Sequence, residues 1–337
     1  MKRYARLWVG MLALLLALAW SAAGRKAAPP GAPETEPERP APVAAGERDS
    51  ARTLRVLHGG AVEEMSMADY LTGVLRAEMP ASFEPEALKA QAVAARTYTL
   101  YRMANGETAA HPDADACDDI NCCKAYKTAE AAAAEWGALA VYYEEKLTRA
   151  VAETDGQVLL YDGEPILAVF CSSVDGRTQG AGAVWLRDLP YLQSVDSPET
   201  EALVPNYRSV VRLTADEFRA AVLASHPEAA LTGDAAGWIT DLTRGEGGFV
   251  ASVTVGGVTL RGNELRTLLS LRSPSFTVEA EDGGFVFHVT GYGHGVGMSQ
   301  YGANALAQTG ATCEEILLHY FTGVTLSETE ESPLQSG

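Results

Sequence analysis

The sequence predicts an α+β fold of mixed, largely antiparallel strands with interspersed helices. Two observations carry that prediction. Apolar runs meeting at Asp162-Gly163 and at Gly256-Gly257 read as tight hairpins, which pair strands antiparallel. Segments with helical spacing fall between the strands without the regular alternation that a doubly wound parallel sheet requires.

The chain has 337 residues and a formal net charge of −18, which argues against nucleic acid as a partner and against a polybasic grip on anionic lipid. At the N-terminus Lys2, Arg3 and Arg6 precede an apolar run, and the small residues Ser21, Ala22 and Ala23 follow it. This pattern is a cleaved signal peptide or an uncleaved membrane anchor, and both export the rest of the chain. The predicted organisation is a signal or anchor over residues 1–24, then a disordered linker rich in Pro, Ala and Glu over 25–52. One compact folded region follows over 53–326, with a polar tail over 327–337.

Taken in order, residues 54–62 alternate weakly and read as a strand or hairpin. The stretch 70–103 reads as two helices broken at Pro80, the first with Ser66 as N-cap. Leu71, Val74 and Leu75 form its apolar stripe, and helical spacing aims Glu78 along the same face. A carboxylate there is costly without a purpose or a partner, so Glu78 is either a presented acid or one half of an ion pair. The second helix begins at Pro85. Helical spacing of about 100° per residue places Ala87, Gln91, Ala94, Ala95 and Tyr98 on one side and Glu86, Lys89 and Arg96 on a solvated one.

An alanine-rich helix is predicted over 128–136, a hairpin over 157–161 and 165–170, and a polar glycine-rich loop after Cys171. Strands follow at 210–213, 249–260 and 285–290, with helices at 214–224, where Thr214 and Glu217 form a capping box, and at 264–270. The closing stretch alternates Gly291, Gly293, Gly295 and Gly297, allowing close backbone approach without the spacing of a dinucleotide site. A helix over 299–307 and a last one capped by Thr312 and Glu315 complete the fold.

Three cysteines crowd together: Cys117, Cys122 and Cys123, with His111 six residues before the first. These are up to four ligands suited to tetrahedral zinc, or alternatively the makings of a small-loop disulfide. With all four ligands the site is closed and its role structural, whereas a three-ligand site would leave a position for water and could be catalytic. Cys171 reads as a strand-end cysteine, since nothing in the sequence fixes a Cys171–His294 nucleophile geometry. His294 itself reads as a turn histidine whose ring bonds to backbone.

The segments VLRAEMPASFEPEALKAQAVAARTYTL, HPDADACDDINCCKAY, VWLRDLPYLQSVDSP, GNELRTLLSLRS and GYGHGVGMSQYGANALA resemble, in matching order, the stage II sporulation protein D family. That family includes the amidase enhancer proteins. The resemblance covers about residues 54–326. It implies a lytic transglycosylase that cleaves peptidoglycan glycan strands, preferably stripped of stem peptides, during engulfment in sporulation, with Glu78 as the catalytic acid and base. It also implies that Gln91, Arg96, Tyr98, Ser172, Ser173, His294, Ser299, Gln300 and Tyr301 line the cleft. His111, Cys117, Cys122 and Cys123 would hold structural zinc. Arg96 is carried by the resemblance alone. Implied partners are glycan strands, stage II sporulation proteins P and M, and the membrane through the N-terminal segment. The implied place is the extracytoplasmic space between mother cell and forespore. Two departures stand out. Cys122 replaces the histidine that many members have before the last cysteine, and Cys171 stands where the family usually has histidine. The alternatives are a non-catalytic enhancer of a wall amidase and a zinc- or cysteine-dependent hydrolase.

Overall fold

The computed structural model describes residues 44, 46–106, 110–120, 122–185 and 187–329. The anchor and most of the linker and tail lie outside the described residues. Among the described residues no helix is long and apolar enough to cross a membrane.

The described chain opens with a short helix, α1 (Glu47–Ala51), inside the segment expected to be spacer. Asp155 explains it: its carboxylate accepts the backbone N–H groups of Arg48 and Asp49 at 3.0 and 2.8 Å, capping the first turn. Strands β1 (Thr53–His58) and β2 (Ala61–Ser66) form a hairpin, and β3 (Ala116–Cys117) pairs parallel with β1. Helix α2 (Met67–Glu78) starts on the Ser66 hydroxyl, which accepts from Asp69 N at 3.1 Å. Leu71, Val74 and Leu75 are fully buried, as the apolar stripe requires. Helix α3 (Pro85–Ala104) is the axis of the larger core; helices α4 (Ala129–Trp136) and α5 (Ala140–Ala152) follow it in the chain. The α5 segment was not anticipated.

Strand β4 (Gln157–Tyr161) turns at Asp162-Gly163 into β5 (Glu164–Pro165). The expected strand over 165–170 is thus broken. Pro165 cannot extend a ladder, and the chain turns away to β6 (Phe170–Cys171), which pairs elsewhere. A short helix, α6 (Ala181–Trp185), follows.

Residues 208–290 build a second core. Strand β7 (Arg208–Thr214) leads into α7 (Ala215–Leu223), whose Thr214–Glu217 capping box is formed as predicted. Next come β8 (Ile239–Arg244), β9 (Val250–Val255), β10 (Val258–Arg261), α8 (Gly262–Leu268), β11 (Phe276–Glu281) and β12 (Gly284–Thr290). They make two antiparallel sheets, ordered β10-β9-β8 and β11-β12-β7, around Phe218, Trp238, Phe285 and Phe287. The chain then returns to the larger core through β13 (Met298–Ser299), α9 (Gln300–Gln308), α10 (Cys313–Tyr320) and β14 (Thr325–Glu328). Strand β14 pairs antiparallel with β4, so Ser327 and Glu328 belong to the fold and not to a loose tail. The architecture is mixed α and β with antiparallel sheets; the parallel pairs, β1–β3 and β6–β13, span two residues each.

Candidate active site

Glu78 is the last residue of α2. Met79 turns to extended backbone and Pro80 ends the helix, so the side chain is half-buried at a helix end. Glu78 Oε1 accepts the backbone N–H of Ala125 at 3.0 Å. Its main-chain carbonyl accepts from Gln300 Nε2 at 3.0 Å. The same Gln300 Nε2 donates to Gln91 Oε1 at 3.3 Å. Gln300, first in α9, therefore joins the end of α2 to the side of α3. Gln91 is fully buried, and its Nε2 has no hydrogen-bond partner. A buried amide N–H₂ left over in this way is a donor available to a ligand.

Beside Glu78 lies Lys124, which sequence reasoning missed. Its ammonium sits between the rings of Tyr98 and Phe170, 3.8 and 3.9 Å from their centroids. Burial pushes its pKa down to about 8, opposed by the nearby Glu78 charge. The available signal was its place in the NCCKAY segment, directly after the cysteine pair.

The glycine loop forms the neighbouring wall. At Gly297 a side chain would meet the Val169 carbonyl at 2.1 Å, and at Gly293 the Cys171 side chain at 2.6 Å, so the backbone approaches as only glycine permits. Ser173 and Tyr292 bond each other's main chains at 3.0 and 2.9 Å and hold the loop in place. His294 Nδ1 accepts from Val296 N at 3.1 Å, with its ring 5.2 Å from that of Trp185. The turn-histidine reading matches this geometry. Burial, with the Lys124 and Arg266 charges, pushes His294 down to about 3 and keeps the ring neutral.

The other expected residues separate clearly. Tyr301 packs edge-on against Phe83 at 4.8 Å, and its backbone N–H donates to the Ser172 carbonyl at 3.0 Å. Ser299 is buried, caps α9, and donates to the Glu199 carboxylate at 2.6 Å. Ser173 is buried with its hydroxyl unpartnered. Tyr98 donates to the Cys122 carbonyl at 3.3 Å and so joins the cysteine loop to α3. Arg96 does not line the cleft. It is neither solvated, as its periodicity suggested, nor beside Glu78: it is 1% exposed, bonded to Asp49 and to the Gln157 carbonyl. Helical spacing could not see that α1 covers this face. Burial pushes the Cys171 thiol up to about 12, which removes the thiolate a cysteine nucleophile needs.

The nitrogen and sulfur atoms of His111, Cys117, Cys122 and Cys123 all lie within 4.8 Å of one another. His111 Nε2 is 3.2 Å from Cys123 Sγ, and its Nδ1 lies 3.0 Å from the Ala114 carbonyl, which fixes the ring. All five cysteines are free thiols. Three sulfurs and one imidazole at this spacing fit tetrahedral zinc. The loop continues from Cys123 into Lys124 and Ala125, so a metal here would set the residues that face Glu78.

The chain is 38% identical over 270 residues to stage II sporulation protein D of Bacillus subtilis (strain 168), covering 80% of this chain and 76% of that protein. It belongs to the stage II sporulation protein D family. The SpoIID stage II sporulation protein model matches residues 58–161, the stretch holding Glu78, Gln91 and the cysteine cluster. Stage II sporulation protein D of Bacillus amyloliquefaciens is 37% identical over 80% of this chain and 76% of its own. The amidase enhancer of Bacillus subtilis (strain 168) is 29% identical over 76% of this chain but 40% of its own. The chain is thus a sporulation-family protein.

Proposed function

We propose that this member of the stage II sporulation protein D family is a lytic transglycosylase of peptidoglycan glycan strands, preferring strands without stem peptides. The setting of Glu78 supports this reading most. Its carboxylate is held by Ala125 N and its main chain by Gln300, beside the unpartnered Gln91 amide. Glycoside hydrolysis ordinarily uses two carboxylates. One suffices when the sugar supplies its own nucleophile. Protonated Glu78 gives its proton to the glycosidic oxygen as the C1–O bond breaks. The C6 hydroxyl of the N-acetylmuramic acid then attacks C1, and the Glu78 carboxylate takes the hydroxyl proton. Glu78 ends as it began, and the product carries a 1,6-anhydro ring. Gln91 Nε2 would donate to the sugar in the cleft.

His111, Cys117, Cys122 and Cys123 would hold zinc, which with four protein ligands supplies a rigid joint rather than chemistry. The protein would act outside the cytoplasm between mother cell and forespore, anchored by residues 1–24, with stage II sporulation proteins P and M as partners. Similarity to an amidase enhancer favours a second reading, a non-catalytic module that promotes another wall enzyme.

Purified protein on peptide-free glycan, with products analysed by mass, separates the two. The wild type should yield 1,6-anhydro ends and Glu78→Ala should yield none. Undiminished cleavage by Glu78→Ala, or no cleavage by the wild type, sinks the reaction proposed.

A further inference from the structure

The segment GNELRTLLSLRS carries two arginines that the reaction above leaves unused. The Arg266 side chain holds the Arg272 main chain, and the turn between them closes on the Arg266 carbonyl. Leu271 N donates to the Arg266 carbonyl at 2.9 Å, and Arg266 Nε donates to the Arg272 carbonyl at 3.2 Å. Gly293 N, from the glycine loop, donates to that same Arg272 carbonyl at 2.9 Å, so the pair is fixed to the cleft wall. The Arg272 guanidinium lies over the Tyr292 ring, 4.5 Å from its centroid, with a buried Nε that has no hydrogen-bond partner.

Neither arginine has a carboxylate partner among the described residues. Arg55, Arg76, Arg96, Arg177, Arg208 and Arg219, by contrast, each have one. Both are half-buried; burial lowers the pKa of Arg266, whose guanidinium donates only to neutral groups, the Arg272 carbonyl and Asn263 Oδ1 at 3.4 Å. The unpaired charges also gather on one loop. Arg266 acts on His294 together with Lys124, and Arg272 acts on Tyr301, next to the Gln300 that bonds Glu78. Arg272 thus lies against the glycine loop through the Tyr292 ring and Gly293 N, Arg266 is joined to it, and the described residues supply neither with an anion.

We infer that Arg266 and Arg272 form a carboxylate subsite that reads the free lactyl group of a muramic acid residue in the bound strand. This rests on the glycan reading above. A stem peptide is joined to that lactyl carboxylate as an amide, which removes the charge and adds bulk. A guanidinium pair binds the carboxylate through planar, charge-assisted hydrogen bonds and gains nothing from the amide. Tyr292, 48% exposed, offers its ring as an apolar support beside the subsite. Preference for peptide-free strands then arises from attraction to a charge, and not only from exclusion of bulk.

The test is binding, with the full chain carrying Glu78→Gln so that nothing turns over. The probes are the disaccharide N-acetylglucosaminyl-N-acetylmuramic acid, its methylamide, and the same disaccharide bearing a stem peptide. The free acid should bind about tenfold tighter than the methylamide, a preference that shrinks with added salt. The peptide-bearing form should bind no tighter than the methylamide. Adding Arg272→Gln should equalise acid and methylamide, while Arg272→Lys keeps part of the difference. The contacts that fix this segment run through the Arg272 carbonyl, so both variants should melt near the parent. Equal affinity for acid and methylamide, including no binding of either, overturns the subsite, as does a preference that survives Arg272→Gln. Cleavage of glycan by the wild type is read separately, so loss of the reaction reading and loss of the subsite are told apart.

Discussion

Arg96 Nε bonds both carboxylate oxygens of Asp49, at 3.0 and 3.1 Å, and this buried pair ties the segment ahead of the first strand to α3. It assigns Arg96 to the fold rather than to substrate. Removing one partner strands a buried charge, so Arg96→Met should cost about 3–5 kcal/mol in chemical denaturation. Replacing both, as Arg96→Met with Asp49→Leu, should recover most of that loss. The affinity of the folded single variant for glycan should stay near wild type; a selective loss of affinity at unchanged stability would return Arg96 to the cleft.

Gln300 holds two partners at once, the Glu78 carbonyl and the Gln91 side chain. Gln300→Ala frees the end of α2 and leaves a second buried group unsatisfied, costing about 1–3 kcal/mol of stability. On the proposed reaction, displacing Glu78 by about 1 Å should lower the cleavage rate about tenfold to a hundredfold. The effect should fall on kcat more than on KM. Gln91→Ala removes the donor instead, and its loss should appear in KM as well.

Local patterns in the sequence were read well where they decide structure alone. The Ser66 N-cap, the Thr214–Glu217 and Thr312–Glu315 capping boxes, and the turns at Gly163 and Gly257 all form as expected. Glu78 and Gln91 were placed on inward faces by spacing, but their link through Gln300 spans more than two hundred residues and leaves no periodic trace. Arg96 was misplaced for the same reason, because its partner Asp49 sits in a five-residue helix within a linker-like composition. Strands β8 and β11 passed unnoticed because most of their residues face outward and are polar. The enclosure of Lys124 by two aromatic rings leaves no pattern in the sequence, where only its place after the cysteine pair marks it.

Lys124 lies between Tyr98 and Phe170 and within electrostatic reach of Glu78. Lys124→Met keeps most of the volume and removes the cation. Glycan cleavage should fall about tenfold or more, as preorganised charges at a dry site are worth more than exposed ones. Bound zinc should remain at the wild-type level, which separates this effect from collapse of the metal loop. An unchanged rate would reduce Lys124 to packing.

The wild-type protein should hold about one zinc per chain by metal analysis, since four ligands close the tetrahedron. Cys123→Ser should lower occupancy sharply, and so should a strong chelator. Either treatment should lower the melting temperature, because the metal stabilises only the folded chain. It should also lower cleavage, because Ala125, which donates to Glu78, lies two residues past Cys123. Wild type without bound zinc, and with a titratable loss of thiols, would place a disulfide here instead.

His294 offers the clearest dependence on pH. Burial, aided by the Lys124 and Arg266 charges, pushes it from 6.5 down to about 3, while the Phe170 main chain opposes the shift. Since Nδ1 accepts from Val296 N, the neutral ring carries its proton on Nε2. The unfolded chain takes up a proton near pH 6.5 and the folded chain does not, so acid favours unfolding. The contribution is therefore fully present above about pH 6.5 and is lost as pH falls toward about 3, where the folded ring also protonates. In His294→Gln, stability should decline less steeply across that window. Between pH 5 and 8 the His294 ring signals should not shift in an NMR titration, and no activity change in that range should trace to this histidine. A His294 titration midpoint near 6.5 would show that the ring is solvated and that Lys124 and Arg266 do not act on it.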